Sequence, residues 1–216
     1  AEMLNDSGLL SRKNDGPKGS LYTENYRSAK ADGKYIADGN GIETCYGRFT
    51  FYGFRYVSVT ADKDIRITDF MGQVVSSVEK ETGTVETSDE SINKLFSNIL
   101  WSQRGNYLSI PTDCPQRDEK LGWTGDAQIF IGAASYNADI KTFMDKWLKD
   151  LRDSQGTDGR YTDIVPYIPI VGKGNAAWGD AGIIIPYYIY LMYGDAAVIE
   201  EMYDSMEKYM AHLATR

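Results

Sequence analysis

The sequence has one histidine, two cysteines and no long apolar run, and each scarcity argues against a class of function. His212 lies near the C-terminal end, which argues against Ser-His-Asp catalysis in the charged segments and against a histidine-rich metal site. Cys45 and Cys114 cannot build a disulfide framework; we expect two free thiols, with a single bridge as the alternative. The longest apolar run, IIIPYYIYLMY at 183–193, is too short to span a bilayer. We expect no metal and no cofactor.

The charge balance argues against nucleic acid as a partner. There are 31 acidic residues against 23 basic ones, a net charge of −8, and the lysines and arginines form no stripe. Binding a phosphate backbone requires a basic face, which this composition does not provide. The first ten residues, AEMLNDSGLL, lack the basic segment and apolar core of a signal peptide. The compartment stays open between cytoplasmic and periplasmic or secreted.

From residue 20 to about 80 the pattern is typical of short β-strands. YGRFTFYGFRYVSVT at 46–60 predicts two strands with Gly53 as a bulge or kink between them, and residues 65–67 predict another. These strands are too few to close two sheets. The sequence therefore predicts that residues 1–80 are the C-terminal part of a β-sandwich domain.

After residue 87 the apolar period changes to 3.6, which predicts helices. Thr87-Ser88-Asp89 is a candidate N-cap for the first of them. Five helices are expected: from that cap to about Arg104, Asp126–Tyr136, Asp139–Asp153, Asp180–Tyr193 and from Asp195 onward.

The predicted helices alternate between two kinds. The first, third and fifth have one apolar stripe, whereas the second and fourth are apolar nearly all round and should be surrounded by other elements. This alternation favours two concentric rings over a helical solenoid, for which no repeat of fixed period is visible. The predicted fold class is therefore an α+β multidomain fragment: a partial β-sandwich followed, at residues 81–216, by the N-terminal half of an (α/α)6 barrel (toroid). Five helices cannot close such a ring.

Two polar segments precede the two apolar helices. DCPQRDEKLGWTGDAQ at 113–128 is dense in carboxylates, and VGKGNAAWGD at 171–180 contributes Trp178 and Asp180. The first segment could be only a solvated loop, and the second a flexible loop in which Asp180 caps a helix and Trp178 closes the barrel mouth. Together they also suit a sugar site, because carboxylates accept hydrogen bonds from vicinal hydroxyls and an indole covers the apolar ring face.

Glycoside hydrolysis needs one carboxyl as a general acid and a second carboxylate to activate water or attack directly. Glu119 fits the acid best, because three aspartates lie close in sequence and Leu121 and Trp123 could desolvate it, and both influences raise a carboxyl pKa. The alternative is a surface glutamate paired with Lys120 or Arg117.

The long segment resembles the signature of bacterial α-L-rhamnosidases, inverting hydrolases that remove terminal L-rhamnose. The resemblance continues through RFTFYGFRYVSV, SDESINKLFSNILWSQRGNYLSIPTDCPQRDE and AAWGDAGIIIPYYIYLMYGD, and a sixteen-residue motif is highly specific. It implies a rhamnose-containing oligosaccharide or glycoside as substrate. The implied roles are Glu119 as general acid, Asp113 and Asp126 as ligands of sugar hydroxyls, Arg117 as a cation orienting neighbouring carboxylates, Trp123 and Trp178 as pocket walls, and Asp118 as a substrate ligand or a partner of Arg117.

The chain departs from the family pattern in two respects. Tyr52 stands where the strand motif usually has histidine. The resemblance implies that the general base is a glutamate from a later part of the barrel, beyond residue 216, so the chain alone is expected to be inactive. The alternatives are a non-catalytic carbohydrate-binding module and, last, another α/α-toroid enzyme such as a glucuronyl hydrolase or a polysaccharide lyase.

Overall fold

The computed structural model describes residues 1–5, 16–62, 65–78, 80–169, 171–172 and 174–216. These residues form two compact units. Unit 1 comprises Ala1–Val74 together with Cys114–Lys120, and unit 2 comprises Val75–Asp113 together with Leu121–Arg216.

Unit 1 has little regular structure among its described residues. Its two short strands, β1 (Met3–Leu4) and β2 (Leu21–Tyr22), pair antiparallel, and one 3-10 turn covers Glu24–Tyr26. The strands predicted within 46–60 and at 65–67 are absent from the described part of the unit, so that prediction is wrong for this structure.

The reason lies in the backbone of the 46–60 segment. A strand needs a neighbouring strand to satisfy its backbone groups, and here the N–H groups of Arg55 and Tyr56 instead donate to the carbonyl of Ala1. Phe49 has φ of 56°, a left-handed conformation that interrupts an extended chain. Gly53 marks a close approach rather than a bulge, because its N–H donates to the Pro115 carbonyl at 3.1 Å and an added Cβ would lie 2.8 Å from the Pro115 ring.

Unit 2 is helical, and the five predicted helices are present. They are α1 (Glu90–Asn106), α2 (Thr124–Asn137), α3 (Lys141–Asp153), α5 (Ala181–Tyr193) and α6 (Ala197–Leu213). The prediction missed a four-residue helix, α4 (Ala176–Gly179), and a hairpin of β3 (Tyr107–Leu108) and β4 (Ile110–Pro111). None of the described helices is both long enough and apolar enough to cross a bilayer.

The predicted cap of α1 is confirmed. The Asp89 carboxylate accepts a hydrogen bond from the N–H of Ser91 at 2.8 Å, which satisfies one of the free donors of the first turn. We expect Asp89→Ala to lower the free energy of unfolding by about 1 kcal/mol. Thermal unfolding followed by the helical circular dichroism signal measures this. Ser88→Ala is the control, and an equal loss in both variants would contradict the cap assignment.

The core of unit 2 comes from α2, α3, α5 and α6, whereas the predicted stripe of α1 is not buried, because Ile92 and Leu95 are exposed. The predicted stripe of α3 is buried and includes Trp147 and Leu151, and α6 buries Val198, Met202 and Tyr209. Helix α5 packs against α2, α3 and α6.

Helices α2 and α5 are not fully surrounded, contrary to prediction. Ile129 on α2 is 84% exposed, and Tyr136 on the same helix is exposed as well. On α5, Tyr187 and Leu191 are exposed. An apolar helix is expected to be covered on all sides, but no described element of unit 2 covers these side chains.

Candidate active site

The charged motif begins at a closed loop in unit 2. The N–H of Asp113 donates to the Leu121 carbonyl at 3.1 Å, and the N–H of Leu121 donates to Oδ1 of Asp113 at 3.0 Å. These two hydrogen bonds thus join Asp113 and Leu121, the two unit 2 residues that flank the segment 114–120.

The middle of the motif lies in unit 1, where Glu119 is held by two guanidinium groups. One Glu119 oxygen lies 2.8 Å from Arg117 and 2.9 Å from Arg27. The pairing with Arg117 agrees with the alternative interpretation, in which Glu119 belongs to an ion pair. The Glu119 side chain is only 20% exposed, however, so it does not lie freely on the surface. Lys120 does not take part, because its ammonium donates to the Phe51 carbonyl at 3.0 Å.

Asp118 has a partner that the sequence did not predict. Its carboxylate accepts a hydrogen bond from the Ser28 hydroxyl. That bond is the main cause that lowers the pKa of Asp118 below its usual range, and the charges of Arg27 and Arg117 contribute as well. Arg27 and Ser28 lie about ninety residues before the motif, and no local pattern indicates them.

The end of the motif opens α2. Trp123 occupies the N-cap position, and Asp126 lies exposed in the first helical turn. Gly125 faces the indole of Trp178, and an added Cβ there would lie 3.0 Å from that ring. A glycine at this position therefore lets the Trp178 segment approach α2 closely.

The two tryptophans of the predicted sugar site lie together. The rings of Trp123 and Trp178 are 6.4 Å apart between centroids and inclined at 60°, an edge-to-face arrangement. Trp178 belongs to α4, which follows the glycine-rich segment 171–175; Lys173 in that segment lies outside the described residues. The end of the first predicted segment and the second segment are thus neighbours within unit 2.

A cavity of about 450 Å³ in unit 2 contains several of the predicted residues. Asp113, Asp126 and Trp178 line it, whereas Trp123 and Asp180 do not. The remaining wall is largely apolar and comes from the end of α1, the β3–β4 hairpin and the first half of α2. This volume is within the range of small-molecule sites.

Tyr107 and Gln128 are lining residues that sequence reasoning missed. The Tyr107 hydroxyl, the Gln128 carbonyl oxygen and the Trp178 indole nitrogen are buried and have no hydrogen-bond partner among the described residues. Burial raises the pKa of Tyr107, so its hydroxyl stays protonated. Buried polar atoms normally have partners, so these three are available to a bound polar molecule or water.

Two family models cover nearly the whole chain. The model of the bacterial alpha-L-rhamnosidase 6 hairpin glycosidase domain matches residues 80–216, and that of the bacterial alpha-L-rhamnosidase concanavalin-like domain matches residues 1–76. The chain belongs to the bacterial α-L-rhamnosidase family. The resemblance inferred from the motif is thereby confirmed, and the fold class is a concanavalin-like domain followed by a 6-hairpin glycosidase domain.

The chain is similar to named α-L-rhamnosidases over most of its length. It is 46% identical to one from Streptomyces avermitilis over 91% of this chain and 19% of that protein, and 44% identical to one from Formosa agariphila over 91% and 22%. Among solved structures, the Streptomyces avermitilis α-L-rhamnosidase complexed with L-rhamnose matches with a TM-score of 0.85 and 43% identity, over 93% of this chain and 20% of that one. The chain spans about a fifth of the length of these relatives.

Asp180 of this rhamnosidase-family chain does not cap α5 through its side chain, contrary to prediction. It accepts a hydrogen bond from the Tyr209 hydroxyl at 2.7 Å instead. Burial, followed by the bond to Asp180, raises the pKa of Tyr209, which keeps that hydroxyl a donor. Asp180, two positions after Trp178, thus links the start of α5 to α6.

Cys45 and Cys114 form no disulfide, as expected: Cys45 is exposed and Cys114 is buried. His212 lies on α6, where Nδ1 is 3.0 Å from the Asp158 carbonyl.

Proposed function

We propose that this chain is part of an α-L-rhamnosidase that releases terminal α-L-rhamnose from oligosaccharides or glycosides. The observation that carries the proposal is the cavity in which Asp113 and Asp126 of the signature motif meet Trp178 of the second loop. Two carboxylates and an aromatic face are the groups that a small sugar ring requires. No metal or cofactor enters the proposal.

The proposal gives each residue a role. Asp113 and Asp126 accept hydrogen bonds from sugar hydroxyls, and Trp178 covers the ring and its methyl group. Trp123 supports Trp178 edge-on, consistent with their 6.4 Å separation. Arg117, Asp118 and Asp180 complete the proposed set, each already held by a neighbour in its own unit.

For the chemical step we propose an inverting mechanism with Glu119 as general acid. Glu119 gives its proton to the glycosidic oxygen, while a glutamate outside this sequence activates water on the opposite face of the ring. The two carboxyl groups should then stand about 6.5–9.5 Å apart. To reach the glycosidic oxygen, Glu119 must loosen its contacts with Arg117 and Arg27 when substrate binds.

We propose further that residues 1–80 are the end of a β-sandwich domain and residues 81–216 the N-terminal half of an (α/α)6 barrel. The exposed apolar side chains of α2 and α5 support this, because the remaining barrel helices would cover them. The length of the relatives supports it as well, since the chain spans about a fifth of them.

The test compares the 216-residue chain with the full-length protein on an aryl α-L-rhamnoside. We expect turnover by the full-length protein and little or none by the chain, because the chain lacks the proposed base. The released aryl group is measured together with the anomer of L-rhamnose first formed. Robust turnover by the chain alone would contradict the missing base, and a retained anomer would contradict inversion. A full-length protein inactive on every rhamnoside tested would contradict the activity itself.

A further inference from the structure

Asp163 lies in a buried segment between the two predicted sugar-binding loops. It is 2% exposed, and its neighbours from Tyr161 to Val165 are buried too. Its backbone carbonyl accepts hydrogen bonds from the N–H of Thr124 at 2.9 Å and from the Thr124 hydroxyl at 3.0 Å. Thr124 follows Trp123 directly, so the Asp163 backbone fixes the start of α2.

The Asp163 side chain fixes the other loop. Oδ1 accepts a hydrogen bond from the backbone N–H of Asn175, and Oδ2 accepts one from the Asn175 side-chain amide, each at 2.6 Å. Asn175 is the N-cap residue of α4, three positions before Trp178. One carboxylate thus holds both the backbone and the side chain of the residue that opens this short helix.

The glycines of the same loop allow this contact. Gly172 and Gly174 have φ of 44° and 88°, in the left-handed region. A Cβ added at Gly172 would overlap the Asp163 carboxylate, and one at Gly174 would overlap the Tyr161 carbonyl. The loop therefore wraps closely around Asp163, and its glycine content follows from that approach.

We propose that Asp163 and Asn175 form a positioning pair that sets Trp178 against the Trp123 segment. Asp163 does not line the cavity, so it acts through Trp178 rather than by touching the sugar. The inference rests on the proposed function, which assigns Trp178 to the rhamnose ring. A misplaced aromatic wall weakens binding of substrate and transition state alike, which raises KM and leaves kcat nearly unchanged.

A swap of the two side chains tests the pair in the full-length protein. In Asp163→Asn the two donors of Asn175 face a neutral amide and lose their charge-assisted hydrogen bonds, and in Asn175→Asp two carboxylates face each other. The double variant Asp163→Asn/Asn175→Asp again sets one donor against one acceptor and keeps an acceptor for the backbone N–H. We expect each single variant to raise KM for an aryl α-L-rhamnoside roughly tenfold, as small displacements in a site do. In the double variant, KM should return most of the way to the wild-type value.

Hydrogen–deuterium exchange of residues 174–180 supplies a readout independent of activity. Exchange should be faster in both single variants and return toward the wild-type rate in the double variant. Asp153→Asn, at the exposed end of α3, is the matched control and should change neither measurement. If a single variant fails to fold, Asn175→Ala replaces it, since that change removes only the amide contact.

Two outcomes overturn the positioning pair. One is a double variant as impaired as the singles, and the other is single variants with lower melting temperatures but unchanged KM and unchanged loop exchange. A wild-type protein inactive on rhamnosides is a different failure. It removes the proposed function and the sugar-positioning role with it, and the exchange data then still decide whether Asp163 holds the loop.

Discussion

In the full-length protein, Glu119→Gln should lower kcat/KM for natural α-L-rhamnosides by roughly 10³-fold, within the range that positioned acids and bases contribute. Glutamine has the size of glutamate but no acidic proton to give to the leaving oxygen. It also keeps one oxygen to accept hydrogen bonds from Arg117 and Arg27, so the surrounding contacts are largely preserved. The loss should therefore fall on the chemical step, with kcat reduced and KM little changed.

The leaving group separates general acid catalysis from a structural role. An aryl rhamnoside whose phenol is acidic needs little protonation, so Glu119→Gln should retain far more activity on it than on an alkyl rhamnoside. Equal losses on both substrates would indicate that Glu119 serves only as the anchor of Arg117 and Arg27. Unchanged activity on both would remove it from the mechanism altogether. Glu200→Gln, at an exposed position on α6, is the matched control and should behave as wild type.

The five long helices of unit 2 could be predicted because the signal for each lies within its own sequence. The stripe of α3 and the Asp89 cap are local patterns, and both agree with the structure. The four-residue helix α4 could not be predicted in this way, because AAWG is too short for a periodic signal. It forms where Asn175 is held by Asp163, a contact between residues twelve positions apart.

The prediction of strands in the first eighty residues was wrong for the opposite reason. Residues 46–60 have the composition of strands, but a strand is stable only when another strand satisfies its backbone groups. Among the described residues of unit 1, only β1 and β2 provide such a ladder, and they pair with each other. Propensity within one segment therefore could not decide its structure.

The site shows the same limit. The two polar segments identified Asp113, Asp126 and Trp178, which line one cavity in unit 2. These segments did not indicate the partners of Glu119, Asn175 and Asp180. The partners are Arg27, Asp163 and Tyr209, which come from distant parts of the chain and are ordinary in their local sequence. Supporting contacts of this kind depend on packing, which no short pattern encodes.

Gly182→Ala should lower the free energy of unfolding by about 3 kcal/mol, at the upper end of the usual cost of overpacking. Gly182 lies in α5, and an added Cβ would overlap the ring of Tyr161. That ring cannot move outward easily: Tyr161 is fully buried, and its hydroxyl is 2.6 Å from the Ser205 hydroxyl. For a chain of this size the melting temperature should fall by roughly 10 °C.

Gly132→Ala is the matched control, because it makes the same change in α2. Its added Cβ would lie 3.3 Å from the ring of Tyr188, which is partly exposed and can turn toward solvent. Both variants gain up to about 1 kcal/mol of helix propensity, so their difference isolates the cost of displacing Tyr161. Equal melting temperatures would contradict the close approach at Gly182.

Relief of the overlap provides the decisive comparison. Tyr161→Leu shortens the side chain that Gly182→Ala displaces, so the double variant should be less destabilised than the sum of the two single changes.

The displacement of Tyr161 should also affect the candidate site, because the Tyr161 ring lies 5.1 Å from that of Tyr209, whose hydroxyl donates to Asp180. Gly182→Ala should therefore raise KM in the full-length protein, whereas Gly132→Ala should not. A destabilised Gly182→Ala with wild-type KM would show that packing behind α5 and the placement of Asp180 are independent.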